Sequence, residues 1–187
     1  MQTLADKIRA VAQLSGIFTL RSGAISDTYF DKYQFEADPT LLHEIALVLN
    51  QLLPPDTQAL AGLEMGGIPI VTMLSFVTKL PCAFIRKQPK QYGTCKYAEG
   101  IDLSNKKFVL IEDVVSSGGA VVDAIDLFKQ DGILPTKVLC VIDRQMGGKD
   151  AIKNCGVEFE SIFEFPHQNT SPEKQFRCPI LVRTTAT

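Results

Sequence analysis

Two adjacent carboxylates, Glu112 and Asp113, stand between an apolar run and a loop of small residues, Ser116, Ser117, Gly118, Gly119 and Ala120. Such acids cannot hold a phosphate, but they suit the hydroxyls of a sugar or a magnesium ion beside it. The loop has the complementary chemistry. Its small residues can turn tightly with backbone N–H groups pointing inward, and a helix starting behind it adds the positive end of its dipole, so a phosphate is the expected guest. No Gly-Lys-Ser/Thr follows the glycines, which separates the motif from the kinase-type P-loop. The acids precede the loop, which separates it from the dinucleotide fingerprint. A plain strand-to-helix turn, capped by its serines and glycines, is the bland alternative.

The elements that must position these groups follow from apolar spacing. Phe108, Val109, Leu110 and Ile111 read as a buried strand with the two acids at its end, and Val121, Ala124, Ile125 and Phe128 as a helix stopped by Gly132. A second strand–loop–helix spans 59–75, with Leu63-Glu64-Met65-Gly66-Gly67 as its loop and Pro69 in the first helical turn. Paired glycines there suit a second phosphate group. A third strand, 137–142, leads into Asp143-Arg144-Gln145-Met146-Gly147-Gly148, which puts Arg144 at a strand's carboxyl end, where open α/β sheets place ligand groups. Arg144 either meets a planar anion or pairs with Asp143.

The remaining segments are a helix over 3–14 ended by Gly16, two β segments bent at Ser22-Gly23, and a helix from Asp38-Pro39 through Leu49. A strand follows at 82–85, then a basic loop over 86–100 whose length suits a lid. A short helix is expected at 149–154 and a last strand at 157–163, with 166–187 irregular. His43 and His167 read as surface histidines, and Cys95 as an inert thiol in the basic loop.

With 187 residues the chain suits one domain with a real core. A net charge of −2 recommends neither nucleic acid nor an anionic membrane as a partner. No apolar run approaches the ~20 residues of a spanning helix. The N-terminus carries Asp6 and lacks a signal peptide's apolar block. Five unpatterned cysteines fit reduced thiols in a cytoplasm.

The string from Lys107 to Val122 resembles the PRPP-binding signature of type I phosphoribosyltransferases. Three further stretches resemble those of orotate phosphoribosyltransferases: Phe18-Thr19-Leu20-Arg21-Ser22-Gly23, the Arg86-Lys87…Lys90…Glu99-Gly100 run, and Asp143-Arg144…Gly147-Gly148. Together they cover about residues 17–163. The resemblance implies an α/β fold, a type I phosphoribosyltransferase-like parallel sheet flanked by helices, with a small N-terminal hood. It implies a single domain over 1–187, with the hood in 1–40, the α/β core in 41–165 and a tail in 166–187.

It also implies roles. Ser116, Ser117, Gly118, Gly119 and Ala120 would surround the 5′-phosphate of PRPP, and Glu112 and Asp113 would hold the ribose hydroxyls. Arg86, Lys87, Lys90, Met65 and Gly66 would meet pyrophosphate. Arg21, Tyr29, Phe30, Ser116 and Arg144 would meet orotate. Lys90, Asp113 and Glu112 are the expected catalytic residues. Mg²⁺ would be held mainly by PRPP, with no protein ligand assigned. A homodimer would complete each site with a partner's Lys90. Two departures stand out: Gly66 where some members carry a lysine, and Tyr92 where many bacterial members carry a histidine. The expected activity is orotate phosphoribosyltransferase; a different base, or a PRPP-binding regulator without catalysis, are the other readings.

Overall fold

The computed structural model describes residues 2–19, 23, 25–90 and 96–165. Helix α1, Leu4–Ala12, opens on a reciprocal cap in which Thr3 and Asp6 satisfy each other's backbone N–H groups. The chain then enters β1, Gln13–Thr19, paired antiparallel with β2, Ile25–Phe30. Gly16 therefore lies inside a strand, at an irregularity in the register between Ser15 and Phe18, and not at a helix stop. Pairing with β2 wins over the helical spacing of Leu14. Asp31 caps a five-residue helix α2, Lys32–Glu36, which apolar spacing did not predict.

Helix α3, Pro39–Leu52, starts as expected: the Asp38 carboxylate accepts the N–H groups of Thr40 and Leu41 at 2.8 and 3.1 Å. The core follows as β3 (Ala59–Leu63), α4 (Gly67–Thr78), β4 (Cys82–Ile85), β5 (Ala98–Gly100), β6 (Phe108–Val115), α5 (Gly119–Gln130), β7 (Lys137–Asp143), α6 (Gly148–Asn154) and β8 (Glu158–Glu164). Its six-stranded sheet has the order β5-β4-β3-β6-β7-β8. The pairs from β4 to β8 are parallel. Only β5 runs antiparallel, against β4, so the basic loop ends in an edge strand.

The central strands are buried on both faces, as parallel strands between helices must be. Phe108 and Leu110 point into one core with Ile125 and Phe128 of α5. Their neighbours Val109 and Ile111 point the other way, into a core with Ile45 and Leu49 of α3 and Ile70 and Leu74 of α4. Ile8 and Phe35 are fully buried in that second core, so α1 and α2 pack onto the sheet's helical layer. No helix among the described residues is long and apolar enough to cross a membrane.

Candidate active site

Glu112 and Asp113 lie within β6, two residues short of its end, and Glu112 pairs in register with Cys140 of β7. The strand runs on through Val114 and Val115, so the acids are buried wall and not an exposed tip. Asp113 is fully buried and Glu112 nearly so. One oxygen of Asp113 accepts the Val114 N–H, and the other, Oδ2, lies 2.5 Å from Lys32 Nζ. Lys32 and Glu36 are four apart on α2 and so share a face. Both reach the acids of β6.

The four groups perturb one another. Burial, with Asp113 beside it, pushes the Glu36 carboxyl up to about 8. Burial, reinforced by Asp113, likewise drives Glu112 well above the usual carboxylate range. For Lys32, burial acts downward, but Asp113, Glu112 and Glu36 outweigh it and hold the ammonium above its ordinary value. Sequence reading missed Lys32 and Glu36. The available signal was Asp31 as a cap, followed by the Lys32/Glu36 spacing around the apolar Phe35.

The β3–α4 loop closes on the same spot. A Cβ at Gly66 would fall 1.5 Å from Asp113 Oδ2 and 2.7 Å from Glu36 Oε1, and one at Gly67 would fall 2.5 Å from the Ile111 carbonyl oxygen. Only backbone fits. The Glu64–Met65 peptide is cis, and Glu64 Oε1 accepts the Lys87 N–H at 2.8 Å. That contact ties the start of the basic arm to the loop, and the Lys87 charge acts on Glu112. Lys90 sits farther along the arm. Its N–H donates to the Lys96 carbonyl at 3.2 Å, and its ammonium pairs with Glu99.

At the end of β6, Gly118 takes φ +80, a left-handed conformation that favours glycine, and α5 begins at Gly119 without a side-chain cap. Its first N–H groups are therefore met by no capping side chain. The loop after β7 is fastened to this turn: Arg144 N–H donates to Val115 O at 2.8 Å and Gly148 N–H to Ser116 O at 3.0 Å. A Cβ at Gly148 would lie 2.5 Å from that Ser116 oxygen.

These bonds place Arg144 against the N-terminal hairpin, its guanidinium 5.4 Å from the Phe30 ring centre. Asp143 does not claim it. That carboxylate is buried and accepts the Gln145 N–H at 2.8 Å. Phe30 packs on Phe35 and Phe165 at 6.3 and 6.1 Å, whereas Tyr29, on the opposite face of β2, packs on Phe18 at 5.4 Å. The two aromatic positions are therefore separated, and Phe30 is the one beside Arg144. Arg21, Tyr92, Cys95 and His167 lie outside the described residues.

A glycine turn at a helix start, a buried acid pair and a cation over an aromatic ring thus converge at the carboxyl ends of β3, β6 and β7. The phosphoribosyl transferase domain model matches residues 38–177. An orotate phosphoribosyltransferase of Nocardioides sp. is 48% identical over 160 residues, which cover 86% of this chain and 89% of the relative. The chain belongs to the orotate phosphoribosyltransferase family. A second orotate phosphoribosyltransferase, from Methanocella arvoryzae, is 37% identical over 79% of this chain and 84% of its own. The same architecture recurs in a Mycobacterium tuberculosis orotate phosphoribosyltransferase solved with Fe(III) dicitrate, with TM-score 0.75 at 24% identity over 86% of this chain and 94% of that one. A structure of that enzyme with 5-phospho-α-D-ribosyl 1-diphosphate gives TM-score 0.73 at 21% identity, over 86% and 93% of the two chains. These structural likenesses carry the fold.

Proposed function

We infer that this member of the family transfers the 5-phosphoribosyl group of PRPP to orotate N1, giving orotidine 5′-monophosphate and pyrophosphate in pyrimidine biosynthesis. The observation that carries the reading is Arg144 over Phe30, fastened to the turn at Ser116–Gly118 by the backbone bonds to Val115 and Ser116. A planar anion needs a fixed, bidentate cation and an apolar surface for its ring, and those two residues supply both.

In this reading the N–H groups of Ser117, Gly118, Gly119 and Ala120, with the hydroxyls of Ser116 and Ser117, take the 5′-phosphate. Glu112 and Asp113 take the ribose hydroxyls. A Glu112 carboxyl pushed toward its neutral form can both donate and accept there. Pyrophosphate meets Arg86, Lys87 and the backbone of Met65 and Gly66. Orotate meets Arg144, Phe30 and Ser116, with Arg21 as a further cation. Orotate N1 attacks C1′ with inversion as pyrophosphate departs. Much of the rate comes from positioning the two reactants, and cations offset the charge that grows on the leaving group.

Mg²⁺ fits this donor set as a passenger of the diphosphate, with the Glu112 and Asp113 oxygens as the nearby hard donors. When bound it would neutralise diphosphate charge. A homodimer is part of the proposal: Lys90, far along the arm on Glu99, would serve the neighbouring subunit's site. So are a cytoplasmic setting and a single domain, with hood 1–40, core 41–165 and tail 166–187.

Orotate consumption, followed by ultraviolet absorbance with PRPP and Mg²⁺ present and each omitted in turn, tests the reading. Loss of orotate that needs both is expected. PRPP binding without orotate turnover would move the assignment to another base or to a regulator.

A further inference from the structure

PRPP is a polyanion, yet its proposed seat is built around carboxylates. Glu36, Glu112 and Asp113 crowd together, and Glu36 Oε1 and Glu112 Oε2 are buried without a hydrogen-bond partner among the described residues. Burial pushes Glu36 and Glu112 toward their neutral forms, so an arriving diphosphate needs a cation beside them to hold it. The β3–α4 loop supplies no such side chain. Any Cβ at position 66 would strike Asp113 Oδ2.

We propose that Lys32, on the N-terminal helix α2, is a substrate-binding residue whose ammonium contacts a diphosphate oxygen of the phosphoribosyl donor, in the place Gly66 leaves without a side chain. The proposal rests on the function inferred above and extends it to a residue outside the family motifs recognised in the sequence. Its geometry is specific. Lys32 Nζ lies 2.5 Å from Asp113 Oδ2, against the carboxylate that Gly66 abuts. Asp113 is fully enclosed, while the Lys32 side chain keeps about a third of its surface open, so the ammonium stands at the boundary between the buried acids and solvent. A lysine stem has rotatable bonds enough to swing its charge from Asp113 toward an arriving oxygen. Leaving Asp113 frees an acceptor for a ribose hydroxyl as the cation meets the diphosphate.

The test uses K32M and K32R in the full chain, with calorimetric binding of PRPP and of inorganic pyrophosphate, and the KM for orotate at saturating PRPP. We expect K32M to weaken PRPP and pyrophosphate about tenfold or more, the usual scale for one charged hydrogen bond. The KM for orotate stays near the wild-type value, and K32R recovers most of the loss. Wild-type affinity for both ligands in K32M would overturn the proposal. So would a loss shared equally by orotate and accompanied by a lower melting midpoint, which would make Lys32 only the counter-ion of Asp113. Pyrophosphate binding does not depend on the accepting base. An inactive wild-type protein toward orotate would therefore count against the inferred function and leave this result readable.

Discussion

The guanidinium of Arg144 lies 5.4 Å from the centre of the Phe30 ring, joining the loop after β7 to the N-terminal hairpin. A cation held over an aromatic face is already partly desolvated, which favours an anionic, planar partner. Burial also lowers the Arg144 pKa from its ordinary value, so the group gains from a charged partner. Arg144→Ala is expected to raise the KM for orotate by about 10- to 100-fold, from the ~1.5–3 kcal/mol of a charged hydrogen-bond pair. PRPP affinity should barely move. Steady-state kinetics with calorimetry of PRPP separates the two, and equal loss of both would point to misfolding of the β7 loop.

Lys90→Ala should lower kcat by about a hundredfold, the scale of one lost donor to a developing charge, with PRPP affinity changed much less. Unchanged turnover would remove this lysine from the chemistry. Mixing Lys90→Ala subunits with subunits disabled at Arg144 tests sharing: recovered activity is expected from sites that pair an intact arm with an intact Arg144.

Gly66→Ala places a methyl where Asp113 Oδ2 now sits, 1.5 Å from the ideal Cβ position. Something must move. Overpacking of this kind costs about 1–3 kcal/mol, so the melting midpoint should drop by several degrees and the KM for PRPP should rise. A variant with wild-type values for both would show that Asp113 turns aside freely.

Glu36 gives the protein a pH signature. Its folded-state pKa of about 8 stands above the ordinary 4.5, so the folded state binds the extra proton between those values. Stability from this group is fully present below about 4.5 and is lost as pH rises through about 8. The melting midpoint of the wild-type chain should therefore fall across that window more steeply than that of Glu36→Gln, which keeps a neutral side chain of the same shape. Parallel profiles for the two proteins would mean that Glu36 titrates normally.

Much of this was legible in the linear order. Parallel strands buried on both faces are short apolar runs, so β3, β4, β6 and β7 announce themselves, and Asp38-Pro39 marks the start of α3 by its own hydrogen-bonding capacity. The phosphate turn and the Arg144 loop are contiguous motifs whose chemistry resides in neighbouring residues. Their relation to each other is not. Whether Glu112 and Asp113 form an exposed tip or a buried wall depends on how far β7 continues the ladder, through Val114↔Ile142 and Val115↔Asp143.

The pairing of Lys32 with Asp113 joins residues 81 positions apart in a 187-residue chain (113 − 32). No local pattern encodes it, because it follows from packing α2 against the sheet through Phe35. The choice of Phe30 over Tyr29 also belongs to tertiary structure: adjacent strand residues face opposite ways, and only docking of the hairpin decides which face meets Arg144. Residue types and spacing therefore determined which chemistry the chain carries. Burial and long-range contact decided which of those groups share a site and in what state of charge, because desolvation and Coulomb energy depend on distance in space.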